Sequence, residues 1–315
     1  MQIAGLFPGQ GSQSSGMLAE LAASHAQVNE VFQQASDVLG RDLWQLAQAG
    51  GEAELNHTEN TQPLMLAAGI ACLRIWQHQG GKAPAAFAGH SLGEYPALVA
   101  AGVLDFSDTM RLVAKRARLM QNAVPAGEGA MAAILGLEDE QVIQACEQAA
   151  KDEVVAAVNF NAPGQVVIGG NATAVERATV TANEMGAKKV VPLAMSVPSH
   201  CMLLKPVAEE LADTIANTVF NQGTVPVLHN IDGQSRSTPD EMRKAVSQQL
   251  YQPVRWVDTI RTLQQTNNID VMLEFGPGKV LTGLNRRIER RMKAACIFDN
   301  KTLDAALKLC EESDS

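Results

Sequence analysis

A serine between two glycines, Gly89-His90-Ser91-Leu92-Gly93, lies where a short apolar run, AAFAG, meets a stretch of helical periodicity, EYPALVAAGVL. A G-x-S-x-G turn from strand to helix sets the serine hydroxyl on a sharp bend. The crowded backbone of that bend accepts only small neighbours, which is why glycine is needed two residues to either side. The bend also brings the serine to a helix N-terminus, where backbone N–H groups can stabilise an oxyanion. This is the equipment for nucleophilic attack on a carbonyl carbon. A serine that only caps the helix is the alternative use of the same residues.

A serine nucleophile needs a base, and the chain offers six histidines. His25, His57, His78 and His229 sit in helical or polar surroundings without a signature. His90 adjoins the serine, but neighbours on a sharp turn point apart. His200, in SVPSHC, is the best remaining candidate, and an ordinary histidine at that place is equally compatible with the residues alone. An imidazole, with an unperturbed pKa of about 6.5, can take and return a proton near neutrality.

A second chemical candidate is GLFPGQGSQSSGML, Gly5 to Leu18, where Gly11 and Gly16 have the glycine spacing of a phosphate-binding P-loop. A P-loop continues with Lys and then Ser or Thr, because the ammonium reaches the phosphates and the hydroxyl holds magnesium. Met17 and Leu18 stand there instead. The dinucleotide pattern begins with Gly9 and Gly11, but Ser14 occupies its third glycine position and NEVFQQASDVL continues as helix. Both nucleotide readings fail, and the turn must present its backbone N–H groups to something else. GPGK, Gly276 to Lys279, is read as a β-to-α turn rather than a phosphate loop.

The elements that must position these residues follow an alternation of short apolar runs and longer helical stretches. QIAGLF, a helix near Leu18 to Leu39, PLMLAAGIACLRIWQHQG, and AAFAG running into EYPALVAAGVL predict an α/β fold with a mostly parallel sheet. From about residue 126 to 195 the texture changes to strand, helix (EDEQVIQACEQAA), strand, hairpin turn (NAPGQ), strand, helix (ATAVERATVTANEMG), strand. That βαββαβ order is ferredoxin-like and predicts a small inserted subdomain, 126–195, within a discontinuous large domain, 1–125 and 196–315. After SVPSHC the larger pattern resumes with helix, TVPVLHN, helix, VMLEFGPGK and a final helix.

Composition narrows the function classes. With 315 residues, 46% of them hydrophobic, the chain can bury a sizeable core. Its formal charge is −9, and the densest basic cluster, RRIERRMK from Arg286 to Lys293, has helical spacing and no interleaved aromatics. It reads as a solvated helix face that could suit an acidic protein partner, not as a nucleic-acid site. Five widely spaced cysteines without a C-x-x-C pair suggest neither disulfides nor a zinc site, and fit a reducing cytoplasm. No segment approaches the roughly 18 apolar residues of a membrane span.

Seven motifs, FPGQGSQ, GHSLGEY, KRARLMQ, NFNAPGQVVIGG, SVPSHC, QLYQPVRW and EFGPGKVLTGL, stand in the order and at the spacing of the malonyl-CoA:acyl carrier protein transacylases, which the chain resembles to about residue 290. The resemblance implies an α/β-hydrolase-like large domain with a ferredoxin-like insertion. It implies transfer of malonyl from a coenzyme A thioester to the phosphopantetheine thiol of acyl carrier protein through a malonyl-serine ester, in fatty-acid synthesis, with no metal and no cofactor. Position by position, it makes Ser91 the nucleophile and His200 its base. The backbone carbonyl of Gln249 orients the histidine in place of an acid, and the backbone N–H groups of Gln10 and Leu92 form the oxyanion hole. The glycine-rich turn would then serve an acyl oxyanion, with Gly9 and Gly11 permitting close approach.

Arg116, taken alone, is one of four cations on the MRLVAKRARLMQ helix and would sit on a solvated face. The resemblance reverses that reading and makes it a clamp for the malonyl carboxylate. Gln62, in NTQP, would line the acyl pocket. Pro96 departs from the family, which has a small residue there, and would remove one N–H from the helix after Ser91. The rivals are a trans-acting acyltransferase or acyl-thioester hydrolase of a polyketide pathway and a non-catalytic docking scaffold. A hydrolase of plain acyl chains has no use for Arg116, and a scaffold has no need of Ser91 and His200. A cytoplasmic monomer is expected.

Overall fold

The computed structural model describes residues 1–125, 127–193, 197–265 and 267–314. Nine strands lie among them: β1 Ile3–Phe7, β2 Ala86–Gly89, β3 Gly129–Leu135, β4 Val155–Ala162, β5 Gln165–Asn171, β6 Lys189–Pro192, β7 Val227–Leu228, β8 Val271–Phe275 and β9 Lys293–Ile297. Five of them form a parallel sheet in the order β7-β2-β1-β8-β9. This α/β arrangement with a parallel sheet is the one the alternating pattern predicts.

Both faces of that sheet are covered, so its central strands are continuous apolar runs rather than alternating ones. In β1, Ile3 and Phe7 join Val271, Leu273 and Phe275 in a core shared with the long helix Thr58–His78. Ala4 and Leu6 point to the opposite face, where Ala86, Ala88 and Met272 meet Trp256, Ile260 and Leu281. Gly5 is required in β1 because a Cβ there would come within 2.5 Å of the Phe87 ring on the paired strand.

The other four strands form an antiparallel sheet in the order β4-β5-β3-β6. Helices Asp139–Ala150 and Ala172–Glu184 pack on one face of it, burying Ile134, Val166 and Ile168 against Val142, Ala145, Val175 and Ala178. The opposite face presents Met131, Val158 and Val167 to Cys201, next to His200. The two sheets are stitched where β4 meets residue 254: Phe160 N–H donates to Val254 O at 2.9 Å and Val254 N–H to Val158 O at 2.8 Å. The expected domain boundaries at 125/126 and 195/196 involve residues 126 and 194–196, which lie outside the described residues.

Three expectations need correction. The single helix expected over 18–39 is two, Ala19–Ser24 and Ala26–Leu39, broken at His25, whose backbone is extended (φ −135°, ψ 116°). The cluster Arg286 to Lys293 is not one helix face. The helix Val280–Ile288 ends before Glu289, whose extended φ of −137° turns the chain, and Lys293 opens β9. That edge strand, pairing parallel to β8, stands where a final helix alone was expected, and the helix Asn300–Asp314 follows it. Pro96, by contrast, breaks nothing. It falls in the first turn of Glu94–Ala100, where N–H groups lack intrahelical partners anyway. No helix among the described residues is long and apolar enough to cross a membrane.

Candidate active site

The site forms at the C-terminal ends of the parallel strands, where open α/β sheets leave a crevice. After β2 the chain makes a single 3-10 turn, Ser91–Gly93, before the helix Glu94–Ala100. Ser91 is left-handed there, with φ 51°. A Cβ on Gly89 would lie 1.8 Å from Gly93 O, and one on Gly93 would lie 2.0 Å from Phe7 O. Both glycines of the motif are therefore demanded by backbone packing, as a strained elbow requires.

Ser91 and His200 are 109 residues apart in sequence, yet Ser91 Oγ lies 2.7 Å from His200 Nε2. His200 Nδ1 lies 2.8 Å from the Gln249 carbonyl oxygen. A carbonyl can only accept, so Nδ1 carries the proton and Nε2 offers its lone pair to the serine hydroxyl. This is the tautomer a general base needs. His200 is 2% exposed, and its pKa is pushed down to about 3, first by burial and then by the Arg116 charge, with the Gln249 carbonyl opposing. The imidazole is thus neutral across the physiological range.

Gln10, on the loop after β1, and His90, Ser91 and His200 line one cavity of about 200 Å³ together with Met131, Val167 and Leu281. Gly9 brings this loop against the elbow, since a Cβ on it would come within 2.6 Å of His90 O. Leu92, the next residue after Ser91, is buried in the turn. Gln10 and Leu92 therefore flank the serine, on the loop and on the elbow respectively. A larger cavity of about 620 Å³, bordered by Gln10, Ser14, Leu55 and Asn56, shares Gln10 and Leu193 with the first. GPGK turns from β8 into the helix Val280–Ile288, as expected.

Arg116 points inward from the helix Phe106–Gln121 and is 0% exposed, which removes the solvated-face alternative. Its Nη1 donates to Gln62 Oε1 at 2.6 Å and its Nη2 to Gln249 Oε1 at 3.0 Å. The guanidinium carbon lies 5.3 Å from the Tyr95 ring centroid, and Nε has no hydrogen-bond partner among the described residues. Burial lowers the arginine pKa from its ordinary value, yet among the described residues no carboxylate forms an ion pair with it. A buried cation held only by neutral amide oxygens is poised for an anion from outside.

Other histidines behave as the residues suggested, with one exception. His90 turns away from the nucleophile, and its Nε2 lies 2.7 Å from Asn161 Oδ1 on β4. His229, which carried no signature, is buried with Nδ1 2.6 Å from Glu94 Oε1. Sequence reasoning missed this residue, Glu94 and Asn230. Asn230 accepts the Ser91 N–H at 2.6 Å and donates to Gly89 O at 2.7 Å, bracing the elbow from both sides. Glu94 reads in sequence as an ordinary acid in a first helical turn. The one available signal was the position of His229 and Asn230 directly after a parallel strand, β7. Among the described residues no group of His, Cys, Asp and Glu could hold a metal ion. The five cysteines form no disulfide among the described residues, and burial pushes the thiol of Cys201, beside the base, up to about 11.

Residues 6–296 match the sequence family described as the acyl transferase domain. The malonyl CoA-acyl carrier protein transacylase of Escherichia coli (strain K12) is 52% identical over 308 residues, 98% of this chain and 99% of that one. Among solved structures, an acyl carrier protein S-malonyltransferase from Vibrio cholerae superposes with a TM-score of 0.94 at 51% identity, covering 97% of this chain and 99% of that one. A malonyl-transacylase in complex with its type II polyketide acyl-carrier protein superposes with a TM-score of 0.96 at 50% identity, covering 98% and 100%. Identity at this level over essentially every residue, joined to a serine–histidine pair and a buried arginine at the motif positions, means that the chain belongs to the acyl transferase family, among its malonyl CoA-acyl carrier protein transacylases.

Proposed function

We propose that this protein carries malonyl from coenzyme A to the phosphopantetheine thiol of an acyl carrier protein by way of a malonyl ester on Ser91. The observation that carries this reading is the buried, carboxylate-free Arg116, tied through the Gln249 side chain to the elbow that bears Ser91. In the first half-reaction, His200 Nε2 takes the Ser91 hydroxyl proton as oxygen attacks the thioester carbonyl. The C–S bond then breaks, and the proton returns to the departing thiolate. In the second, the same nitrogen takes the proton of the carrier thiol, whose sulfur attacks the ester, and Ser91 leaves with its hydroxyl restored. Each half passes through an oxyanion, so one pair of donors, the backbone N–H groups of Gln10 and Leu92, serves both.

Arg116 would exchange neutral acceptors for the malonyl carboxylate, with Gln62 and Gln249 as the amides that hold the fork beforehand. The reaction needs no metal or redox cofactor, and coenzyme A enters as the thioester substrate. Every residue in this scheme comes from one chain, so a monomer suffices. We read the antiparallel unit of about 126–195, with its 2-3-1-4 strand order, as a ferredoxin-like subdomain set into an α/β-hydrolase-like large domain of 1–125 and 196–315. The test is to incubate the protein with malonyl-CoA or acetyl-CoA, weigh it intact, and then add holo acyl carrier protein. A malonyl adduct that Ser91→Ala abolishes and the carrier discharges is expected. An adduct that survives that change, or one that water removes as fast as the carrier does, overturns the reading.

A further inference from the structure

Gln249 does more than offer its backbone carbonyl to His200. Its side-chain nitrogen donates to Ser91 O at 2.8 Å and to Glu94 Oε2 at 3.0 Å, while its Oε1 accepts from Arg116 at 3.0 Å. One residue therefore touches the nucleophile's backbone, the base and the carboxylate clamp. What sets the orientation of its amide is decided by the groups around it. Two acceptors lie on one side and a guanidinium donor on the other, and only one flip state satisfies all three.

Glu94 is the acidic member of that set. It is 0% exposed, its Oε1 accepts from His229 Nδ1 at 2.6 Å, and its Oε2 accepts both the Asn230 N–H at 3.1 Å and the Gln249 amide. Asn230 in turn accepts the Ser91 N–H. A carboxylate placed directly on Arg116 would saturate the fork and repel an incoming anion. With the Gln249 amide between them, Glu94 lies close enough to favour the charged guanidinium and leaves its nitrogens on neutral, displaceable acceptors.

Building on the malonyl reading above, we propose that Glu94 is a positioning residue for acyl selectivity: through the Gln249 amide it holds the Arg116 fork ready for a substrate carboxylate, and through Asn230 it fixes the elbow of Ser91. The geometry makes Glu94→Gln informative. Three donors, His229 Nδ1, Asn230 N and Gln249 Nε2, converge on the carboxylate. A glutamine brings one acceptor oxygen and an NH2 group. With its oxygen toward His229, the NH2 faces the Asn230 and Gln249 donors. With its NH2 toward His229, Nδ1 can accept only by moving the ring proton to Nε2, which is buried without a partner among the described residues and becomes an unsatisfied donor. Where the NH2 faces Gln249, that amide is free to flip and present its own NH2 to Arg116, and in either orientation the negative charge that favours the guanidinium is lost.

The test compares kcat/KM for malonyl-CoA and acetyl-CoA, per folded enzyme, in the wild type, Glu94→Gln, Glu94→Asp, Gln249→Met and the double variant Glu94→Gln/Gln249→Met. The malonyl-to-acetyl ratio is expected to fall about tenfold or more in Glu94→Gln, the cost of one buried donor left unsatisfied. Glu94→Asp, which keeps the charge, recovers part of it. Gln249→Met keeps the carbonyl that orients His200 but removes the relay, so adding Glu94→Gln to it should lower the ratio no further. Equal losses on both substrates in Glu94→Gln, or ratio losses that multiply in the double variant, overturn the inference. If Glu94→Gln does not fold, Gln249→Met carries the same test, and an unchanged ratio there overturns it. A wild type that takes both thioesters equally well overturns the carboxylate reading itself, a result distinct from a selective wild type whose selectivity ignores Glu94.

Discussion

Replacing Arg116 by alanine separates recognition of a carboxylate from support of the fold. The guanidinium is wholly buried, bonded to Gln62 Oε1 at 2.6 Å and to Gln249 Oε1 at 3.0 Å, with Nε unpartnered among the described residues. In malonyl transfer the variant loses one partner of a buried, hydrogen-bonded charge pair, a change worth about 2–5 kcal/mol. At 1.36 kcal/mol per decade, that is a loss of about 30- to 5,000-fold in kcat/KM for malonyl-CoA. Acetyl-CoA brings no anion and meets a buried, unpaired cation in the wild type, so its kcat/KM should hold or rise. The altered base does not confound the comparison. Arg116 is the second cause of the low His200 pKa, so removing it raises that pKa toward 6.5 and leaves the imidazole largely neutral at pH 8. Lysine at 116 should restore malonyl transfer in part, because a point charge lacks the planar fork. Steady-state kinetics at pH 8 with both thioesters and all three proteins is the assay. Equal losses on the two substrates would refute the reasoning, since damage from two unsatisfied amide oxygens and a cavity does not distinguish acyl groups.

Ser91→Ala should abolish the acyl adduct seen by intact mass, and His200→Ala should cost about as much in turnover. A double variant far slower than either single one would break the pairing of the two as one unit. The acid limb of acetyl transfer in the wild type should lie far below pH 6.5, because His200 titrates near 3, and Arg116→Ala should move that limb upward; a limb that stays put removes Arg116 as a cause. The same shift sets a stability trend. Between pH 6.5 and 3 the unfolded chain binds the His200 proton and the folded chain does not, so stability should rise with pH through that window, and less steeply in His200→Ala, as read by chemical denaturation. Gly93→Ala, whose Cβ would sit 2.0 Å from Phe7 O, should lose about 1–3 kcal/mol or more of stability and most transfer activity; a fully active, equally stable protein would show that the elbow relaxes freely.

The parallel core was legible because strands covered on both faces must be apolar throughout, and IAGLF and VMLEF are nearly so. The edge was not. β9, KAACI, is mostly half-exposed and follows a run of cations, so nothing in its residues competes with a helical reading. The break at His25 carries no glycine or proline to mark it, and the first helix closes on its own backbone, His25 N–H to Leu21 O. Ser91 was legible from the glycines its elbow demands, whereas the residues alone left His200 open. Its role depends on a carbonyl from Gln249 and a hydroxyl from Ser91, both distant in sequence. Glu94, His229 and Asn230 were missed for the same reason, with only the place of the latter two after β7 to mark them: an acid, an imidazole and an amide acquire meaning when burial makes each bond obligatory.

Backbone strain ties these missed residues to the chemistry. Ser91 and His200 both occupy the left-handed region, with φ 51° and 65°, a conformation that costs a non-glycine residue about 1–3 kcal/mol and persists only where the surroundings enforce it. Here the enforcement is local and complete. The Ser91 N–H is taken by Asn230 and its carbonyl by the Gln249 side chain, so both backbone groups of the nucleophile are bound by residues from the far half of the chain. The His200 N–H is taken by Leu250 O, and its ring by the carbonyl of the adjacent Gln249. Two short segments, after β7 and after the helix Pro239–Gln248, thus fix both members of the pair, and Glu94 joins those segments by accepting from Asn230 and Gln249 together. A serine and a histidine supplied by distant parts of the sequence meet at 2.7 Å because the same buried carboxylate anchors what holds each of them.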